Sequence, residues 1–376
     1  MEQYIDSLSL AQLIVLSVLA FALLVQVVYY LAVYLRVVCN KPPRVNLDKL
    51  YPVSVIICAR NECENLRNFL PKVLSQSYPE FEVIVVNDCS EDDTVMLLAE
   101  MEQKYSNLRH TSIEVDRKFS HGKKLAVTIG VKSARHEHIV LTDADCYPVD
   151  NQWLTNVMST YSDETEIVLG YGGYEARKGF LNKLIRFDTL SIAMQYLGLA
   201  KSGHPYMGVG RNLSYTKTSF FSKSGFQSHY NLMSGDDDLF VNERANKTNT
   251  RIVTTHESIT MSLPCESFQQ WVKQKKRHLS TWTHYRLGTK ISLGNELSSR
   301  LLFYAMLIVA VVPFGLYLEA LIAFGFRLIV QLVVYKLNMK KFNECGFLLL
   351  IPIFDVVLPF LNSAFNILNL RDYRCQ

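Results

Sequence analysis

Three groups of carboxylates stand where this chain could do chemistry. Asp143-Ala144-Asp145 follows the apolar run EHIVLT (137–142). In extended backbone, residues two apart project to the same side. Two such hard oxygen donors suit Mg²⁺ or Mn²⁺, cations that can bridge a diphosphate; the bland alternative is a solvated turn. Asp88 follows EVIVV (82–86). A carboxylate there can accept from a uracil N–H or a ribose hydroxyl, while Ser90 and Asp92 stand where helix caps are favoured. Gly235-Asp236-Asp237-Asp238-Leu239-Phe240 crowds three carboxylates. Crowding can raise the pKa of one and make it a base; otherwise the group is an acidic helix start.

Basic and glycine-containing segments lie between these acids. His121-Gly122-Lys123-Lys124 offers backbone approach and positive charge to a phosphate, or is an ordinary basic loop. Met207-Gly208-Val209-Gly210-Arg211-Asn212 lacks the spacing of a dinucleotide fingerprint. It suits close backbone approach to a sugar, or an ordinary turn. Gln274-Lys275-Lys276-Arg277-His278 is flanked by Phe268, Trp271, Trp282 and Tyr285. The segment could lie on a lipid surface as an amphipathic helix, or close over a site and hold a diphosphate.

The elements that must position these residues are legible. VSVIIC (53–58), EVIVV (82–86) and EHIVLT (137–142) are short branched apolar runs, suited to strands buried on both faces. Helical spacing follows the first two, at about 65–75 and 92–104. Alternating strands and helices predict an α/β fold, a mostly parallel sheet with helices on both faces. Ligands of such sheets bind beyond the carboxyl ends of the strands, where each of these runs ends in polar or acidic residues.

The 376 residues are 49% hydrophobic and 20% charged, against about 25% charged in an average soluble domain. The excess is concentrated. Residues 8–35 carry no charge, and a bilayer span needs roughly 20 such residues. Glu2 and Asp6, with no early Lys or Arg, argue against a signal peptide. Arg36, Lys41, Arg44 and Lys49 follow, opposed only by Asp48; this places the N-terminus outside and the rest inside. A second block from about Leu301 to residue 335 is too long for one span. Pro313 and Gly315 near its middle suggest two spans joined as a hairpin, with Lys336, Lys340 and Lys341 inside. Phe347–Leu368, broken by Pro352, Asp355 and Pro359, reads as a further span, a re-entrant segment or an interfacial one. Glu319 and Arg327 mark either an intramembrane site or bundle partners. The expected division is an anchor at 1–44, a catalytic domain at 45–295 and membrane or interfacial helices at 296–376. No CxxC pair suggests zinc, and the +4 net charge argues against nucleic acid as partner.

In order, VSVIICARNE (53–62), EVIVVNDCSEDDT (82–94), HGKK (121–124), LTDADC (141–146), SGDDDLF (234–240) and QKKRH (274–278) resemble a membrane-anchored family 2 glycosyltransferase of the GT-A fold. The resemblance implies inverting transfer from a nucleoside-diphosphate sugar, usually UDP-linked, to a lipid-linked or membrane-associated glycan acceptor, with membrane lipids as surroundings. It implies that Asp88 binds base and ribose, flanked by Arg60 and Glu62, and that Asp145 and Asp143 bind Mg²⁺ or Mn²⁺. Asp236 matches the general base, with Asp237 one register away. Gln274 and Arg277 match the family's Gln-x-x-Arg-Trp, and Lys123, Asn212 and His278 complete the donor-side set. His278 stands in place of the closing Trp. It can hydrogen-bond and carry charge where Trp would stack. With only about four spans, this departure points to single-sugar addition rather than polymer export. Two other readings compete: a tethered nucleotide-sugar binding protein without catalysis, and a small transporter subunit. The first predicts a broken Asp-x-Asp or base cluster and the second places function in the spans; neither matches these motifs.

Overall fold

The computed structural model describes residues 8–42, 50–114, 122–232 and 234–374, with side chains described to Phe365 in the last helix. His121, and Arg44, Asp48 and Lys49 of the juxtamembrane run, lie outside the described residues.

Helix α1 (Leu10–Val28) starts with a capping box: Ser9 Oγ accepts from Gln12 N, and Gln12 Oε1 accepts from Ser9 N. The helix continues as a π-helical stretch, Tyr29–Tyr34, and as α2 (Leu35–Val38). The sheet domain follows with β1 (Val53–Ala59), α3 (Cys63–Leu74), β2 (Phe81–Asp88), α4 (Thr94–Lys104) and β3 (Leu108–Ile113). Next come α5 (Lys123–Ser133), β4 (His138–Asp143), β5 (Cys146–Pro148), α6 (Trp153–Met158), β6 (Ile167–Leu169) and β7 (Gly172–Tyr174). Helix α7 (Phe180–Lys201) leads to β8 (Leu213–Thr216), α8 (Lys217–Phe221), α9 (Asp238–Arg244), β9 (Thr250–Ile252) and β10 (Thr260–Ser262).

Seven strands form one sheet in the order β3-β2-β1-β4-β8-β6-β9, and β5-β10-β7 form a smaller one. In the large sheet only β8 runs antiparallel to its neighbours. The branched runs are buried on both faces, as their composition predicts. Val55 and Ile57 of β1 join Val83 and Val85 in a core closed by α3, α4 and α6. Ile56, Ile84 and Val86 face the opposite core, closed by α5 and α7. Each buried Val or Ile contributes about 1.5–3 kcal/mol. The second core also contains Tyr30, Tyr34, Tyr335 and Phe354, so the sheet and the long apolar helices share one interior.

After α10 (Phe268–Leu279) come α11 (Leu287–Val311) and α12 (Tyr317–Lys341), joined through Gly315 at φ 63° as the expected hairpin. Helix α11 starts before Leu301 and runs through the expected 295/296 boundary. Helix α13 (Ile351–Arg374) is continuous through Pro359, where a break was expected. Its Phe354 packs on Phe187 of α7 and its Phe365 on Trp271 of α10.

Among the described residues, four segments are long and apolar enough to cross a membrane: Leu10–Val38, Leu287–Val311, Tyr317–Lys341 and Leu348–Phe365. Arg327 is a bundle partner: it donates to Asp355 (2.9 Å), Tyr304 (2.9 Å) and Gln26 (2.8 Å), tying all four together. Such bonds matter in lipid, where apolar helices gain little hydrophobic drive to associate. Glu319 lies in the first turn of α12.

Candidate active site

Parallel pairing sets Cys58 beside Asp143 and Ala59 beside Asn87. The carboxyl ends of β1, β2 and β4 therefore open on one crevice. Asn61 and Cys89, just past two of these ends, adopt positive φ of 56° and 55°, a conformation uncommon for non-glycine residues and found at constrained sites. The two loops are stitched together: Asn61 N donates to Ser90 Oγ (2.8 Å), and Glu91 N to Asn61 Oδ1 (2.7 Å). Asp88 is buried, and its Oδ1 has no hydrogen-bond partner among the described residues. An unpartnered buried acceptor is costly, and Asp88 stands at the carboxyl end of β2. Arg60 is exposed at the rim.

Asp143 ends β4, and Ala144-Asp145 turn the chain into β5. A turn, not extended backbone, therefore brings the two carboxylates together: ligand atoms of Asp143, Asp145 and Cys146 lie within 4.8 Å of one another. Ser262 of β10 donates to Asp145 Oδ2 at 2.9 Å and fixes its orientation. Burial, then the Asp143 charge, raise Asp145 above the usual carboxylate range, against bonds from Ser262 and Cys146 and the charge of Arg211. Burial also raises Glu62, with Asp145 and Asp143 adding to the effect against a bond from Asn65. Carboxylates that repel one another in this way fit a divalent cation. Burial and the same carboxylates keep Cys146 a thiol, a poor ligand for Mg²⁺ or Mn²⁺.

Lys123, at the start of α5, joins the two acidic groups. Its Nζ lies 2.7 Å from Asp143 Oδ1 and 3.2 Å from Asp236 Oδ2. This changes the expected electrostatics of the triple Asp. Burial would raise Asp236, but Lys123 outweighs it and the carboxyl is lowered, not raised. Asp237 rises to about 7, first by burial and then by the charges of Asp236 and Asp238; Asp238 also rises, by burial first, against bonds from Thr281 and Tyr285. Asp237 accepts from Gly210 N (2.8 Å) and, as N-cap of α9, from Asp238 N (2.7 Å). Asp238 turns away to accept from the hydroxyls of Tyr285 (2.7 Å) and Thr281.

Asp237 and Asp238 border a cavity of about 210 Å³ between the sheet, α7 and α10. Aromatic rings line it: Tyr174, Tyr196, Tyr206, Trp271, Trp282 and Tyr285. Helix α10 carries the basic segment and is capped by Ser267. Gln274 donates to Tyr174 OH at 3.1 Å, and a buried Lys275–Asp188 pair (2.8 Å) locks α10 onto α7. Arg277 is exposed beside the acids, and its charge reaches Asp236. His278 lines the cavity with its side chain exposed; the surrounding protein, then the charges of Arg277 and Lys275, lower its pKa.

Asn212 does not reach the donor crevice. Its amide donates to Tyr171 O and Ser258 O, and its Oδ1 accepts from Trp153 Nε1. Fully satisfied and 2% exposed, it is an internal strut. The neighbour that sequence reasoning passed over, Arg211, faces the site: its guanidinium stacks on Tyr174 at 4.2 Å. Lys124 is also structural, donating to His229 O and Leu232 O in the loop before Asp236.

Residues 54–222 match the family described as Glycosyl transferase family 2. The poly-beta-1,6-N-acetyl-D-glucosamine synthase of Staphylococcus aureus (strain COL) is 29% identical over 194 residues, 51% of this chain and 45% of that protein. The synthase of the same name from Staphylococcus epidermidis is 34% identical over 93 residues, 25% of this chain and 21% of that one. The match thus spans less than half the length of these curated relatives. Among solved structures, the mannosyltransferase PcManGT from Pyrobaculum calidifontis, in complex with GDP-Man and Mn²⁺, aligns over 95% of this chain and 99% of its own. Its TM-score is 0.60 at 18% identity, a likeness of fold. The fold is therefore GT-A. Residues 54–222 carry a domain similar to glycosyltransferase family 2.

Proposed function

We propose that this chain moves one sugar from a UDP-linked donor to a lipid-linked or membrane-associated glycan acceptor, with inversion at the anomeric carbon. The observation that carries this reading is the placement of Asp237 between the strand-end carboxylates and the aromatic cavity. Asp88 accepts from the base or ribose. Asp143 and Asp145 hold Mg²⁺ or Mn²⁺, which when bound neutralises charge on the departing diphosphate. Lys123 and Arg277 face the phosphates. The acceptor lies in the cavity, where ring faces suit the C–H faces of a sugar. Asp237 takes the proton of the acceptor hydroxyl as its oxygen bonds to the anomeric carbon. The bond from that carbon to the diphosphate oxygen breaks, and its electron pair leaves with the diphosphate.

A second reading, repeated addition to a growing polymer, is favoured by the names of the curated relatives. One assay addresses both readings. Detergent-solubilised protein is incubated with metal and UDP-N-acetylglucosamine, UDP-glucose, UDP-galactose or GDP-mannose, and release of nucleotide and product size are followed. Slow hydrolysis of one donor without acceptor, and a single-sugar product with membrane extract, are expected. A ladder of products supports the polymer reading; no turnover of any donor returns the chain to a binding role.

Orientation follows from the Lys and Arg that succeed the first span. A reporter inserted near Tyr105 should be active only in a cytoplasmic-reading format. Signal from an externally active reporter overturns the topology, because nucleotide sugars are made inside.

A further inference from the structure

A cleft of about 560 Å³ lies where the first span meets the edge of the sheet, and the proposed reaction does not use it. Among the described residues five cations line it, Arg36, Lys41, Lys201, Lys247 and Arg251, and no carboxylate does. It shares no lining residue with the aromatic cavity. Its walls are held by backbone and buried contacts. Asn40 donates to Ile252 O (3.3 Å) and Thr254 Oγ1 (3.2 Å), pinning the end of the anchor to β9. A Cβ on Gly198 would stand 2.6 Å from Val33 O, so α7 packs directly on the backbone of the π-helical stretch. Lys341, ending α12, donates to Asn40 O at 3.1 Å and brings a sixth cation close by.

Arg251 Nη1 is held by the carbonyls of Thr248 (2.8 Å) and Thr250 (3.0 Å), which orient the guanidinium without neutralising it. Cations at helix C-termini can simply complement the dipole, and Arg36 and Lys201 sit at such ends. Lys247 and Arg251 belong to neither helix. Ser159 and Thr160 add hydroxyl donors to the same cleft.

We infer that this cleft is a binding site for the phosphate of an anionic phospholipid headgroup. The ligand chemistry, a phosphate among five cations with no carboxylate beside them among the described residues, is shared with free phosphate. Position decides for lipid: the cleft lies at the end of a helix that exposes Leu24, Val28 and Leu31 along its length, so acyl chains have an apolar wall beside the charges. Basic pockets at the cytoplasmic ends of spans recognise headgroups in this way.

The test uses the full chain in neutral detergent, with phosphatidylglycerol, phosphatidylcholine or inorganic phosphate added. A ligand that binds only the folded chain raises its melting temperature. Phosphatidylglycerol should raise it by at least about 3 °C, and the other two should not. Combining Lys201→Gln, Lys247→Gln and Arg251→Gln should remove most of that rise. The single changes Lys201→Gln and Lys247→Gln, at exposed side chains, should each reduce it. Native mass spectrometry should show phosphatidylglycerol retained by the unaltered chain and lost from the triple variant. An equal rise with phosphatidylcholine, an undiminished rise in the triple variant, or the same rise from inorganic phosphate alone each overturns the assignment.

Discussion

Replacing Asp237 by Asn should lower sugar transfer by at least about a hundredfold while leaving UDP and metal affinity nearly unchanged. A positioned base contributes about 10²–10⁴ in rate, and the amide cannot take the acceptor proton. Folding should survive, because Asn caps a helix about as well as Asp and can still accept from Gly210 N or Asp238 N. The pH profile gives a second readout. With Asp237 raised to about 7, the base is protonated below that pH, so kcat/KM should fall about tenfold per unit on the acid side. Lys123 opposes this rise, so Lys123→Gln should move the acid limb to higher pH. Near-normal turnover in Asp237→Asn, with loss in Asp236→Asn, would pass the role to Asp236. The structure argues the other way, since Asp236 is paired with Lys123.

Asp145→Asn should cost about 10²–10³ in turnover, abolish the response to added metal and weaken UDP binding. Asp143 alone would then face the cation, with Lys123 competing for it at 2.7 Å. Stability should move the opposite way from activity. Burial and Asp143 raise Asp145 in the metal-free chain, so its ionised form at neutral pH opposes folding. Asn removes that charge, and the bond from Ser262 can persist. The melting temperature without metal should therefore hold or rise, and its increase on adding Mn²⁺ should vanish. Full activity in excess EDTA would sink the metal role altogether.

Much of this site is legible along the chain because its parts are local. Branched apolar runs ending in Asp88 or in Asp143-Ala144-Asp145 specify strands buried on both faces and carboxylates at their ends. The uncharged stretch 8–35 specifies a helix long and apolar enough to cross a membrane. Each of these follows from neighbours a few residues apart. The triple aspartate followed a different rule. Asp236, Asp237 and Asp238 are equivalent as letters, and only the fold sends one to Lys123, one to the backbone of Gly210 and one to Tyr285. Asn212 is expected at the site and Arg211 is given no role, yet a one-residue step just before β8 decides which side chain is buried under Trp153 and which faces the carboxylates.

The sequence alone thus determined the element types, the sheet class, the membrane segments and the acidic and basic positions available for chemistry, since propensity, periodicity and charge are properties of short segments. Tertiary structure decided which of those groups meet. Lys123 reaches Asp143 and Asp236, Ser262 reaches Asp145, and Arg36 comes to lie near Arg251, all across long separations in the chain. A side chain's burial, partner and protonation depend on what the fold brings against it, and no local pattern encodes that.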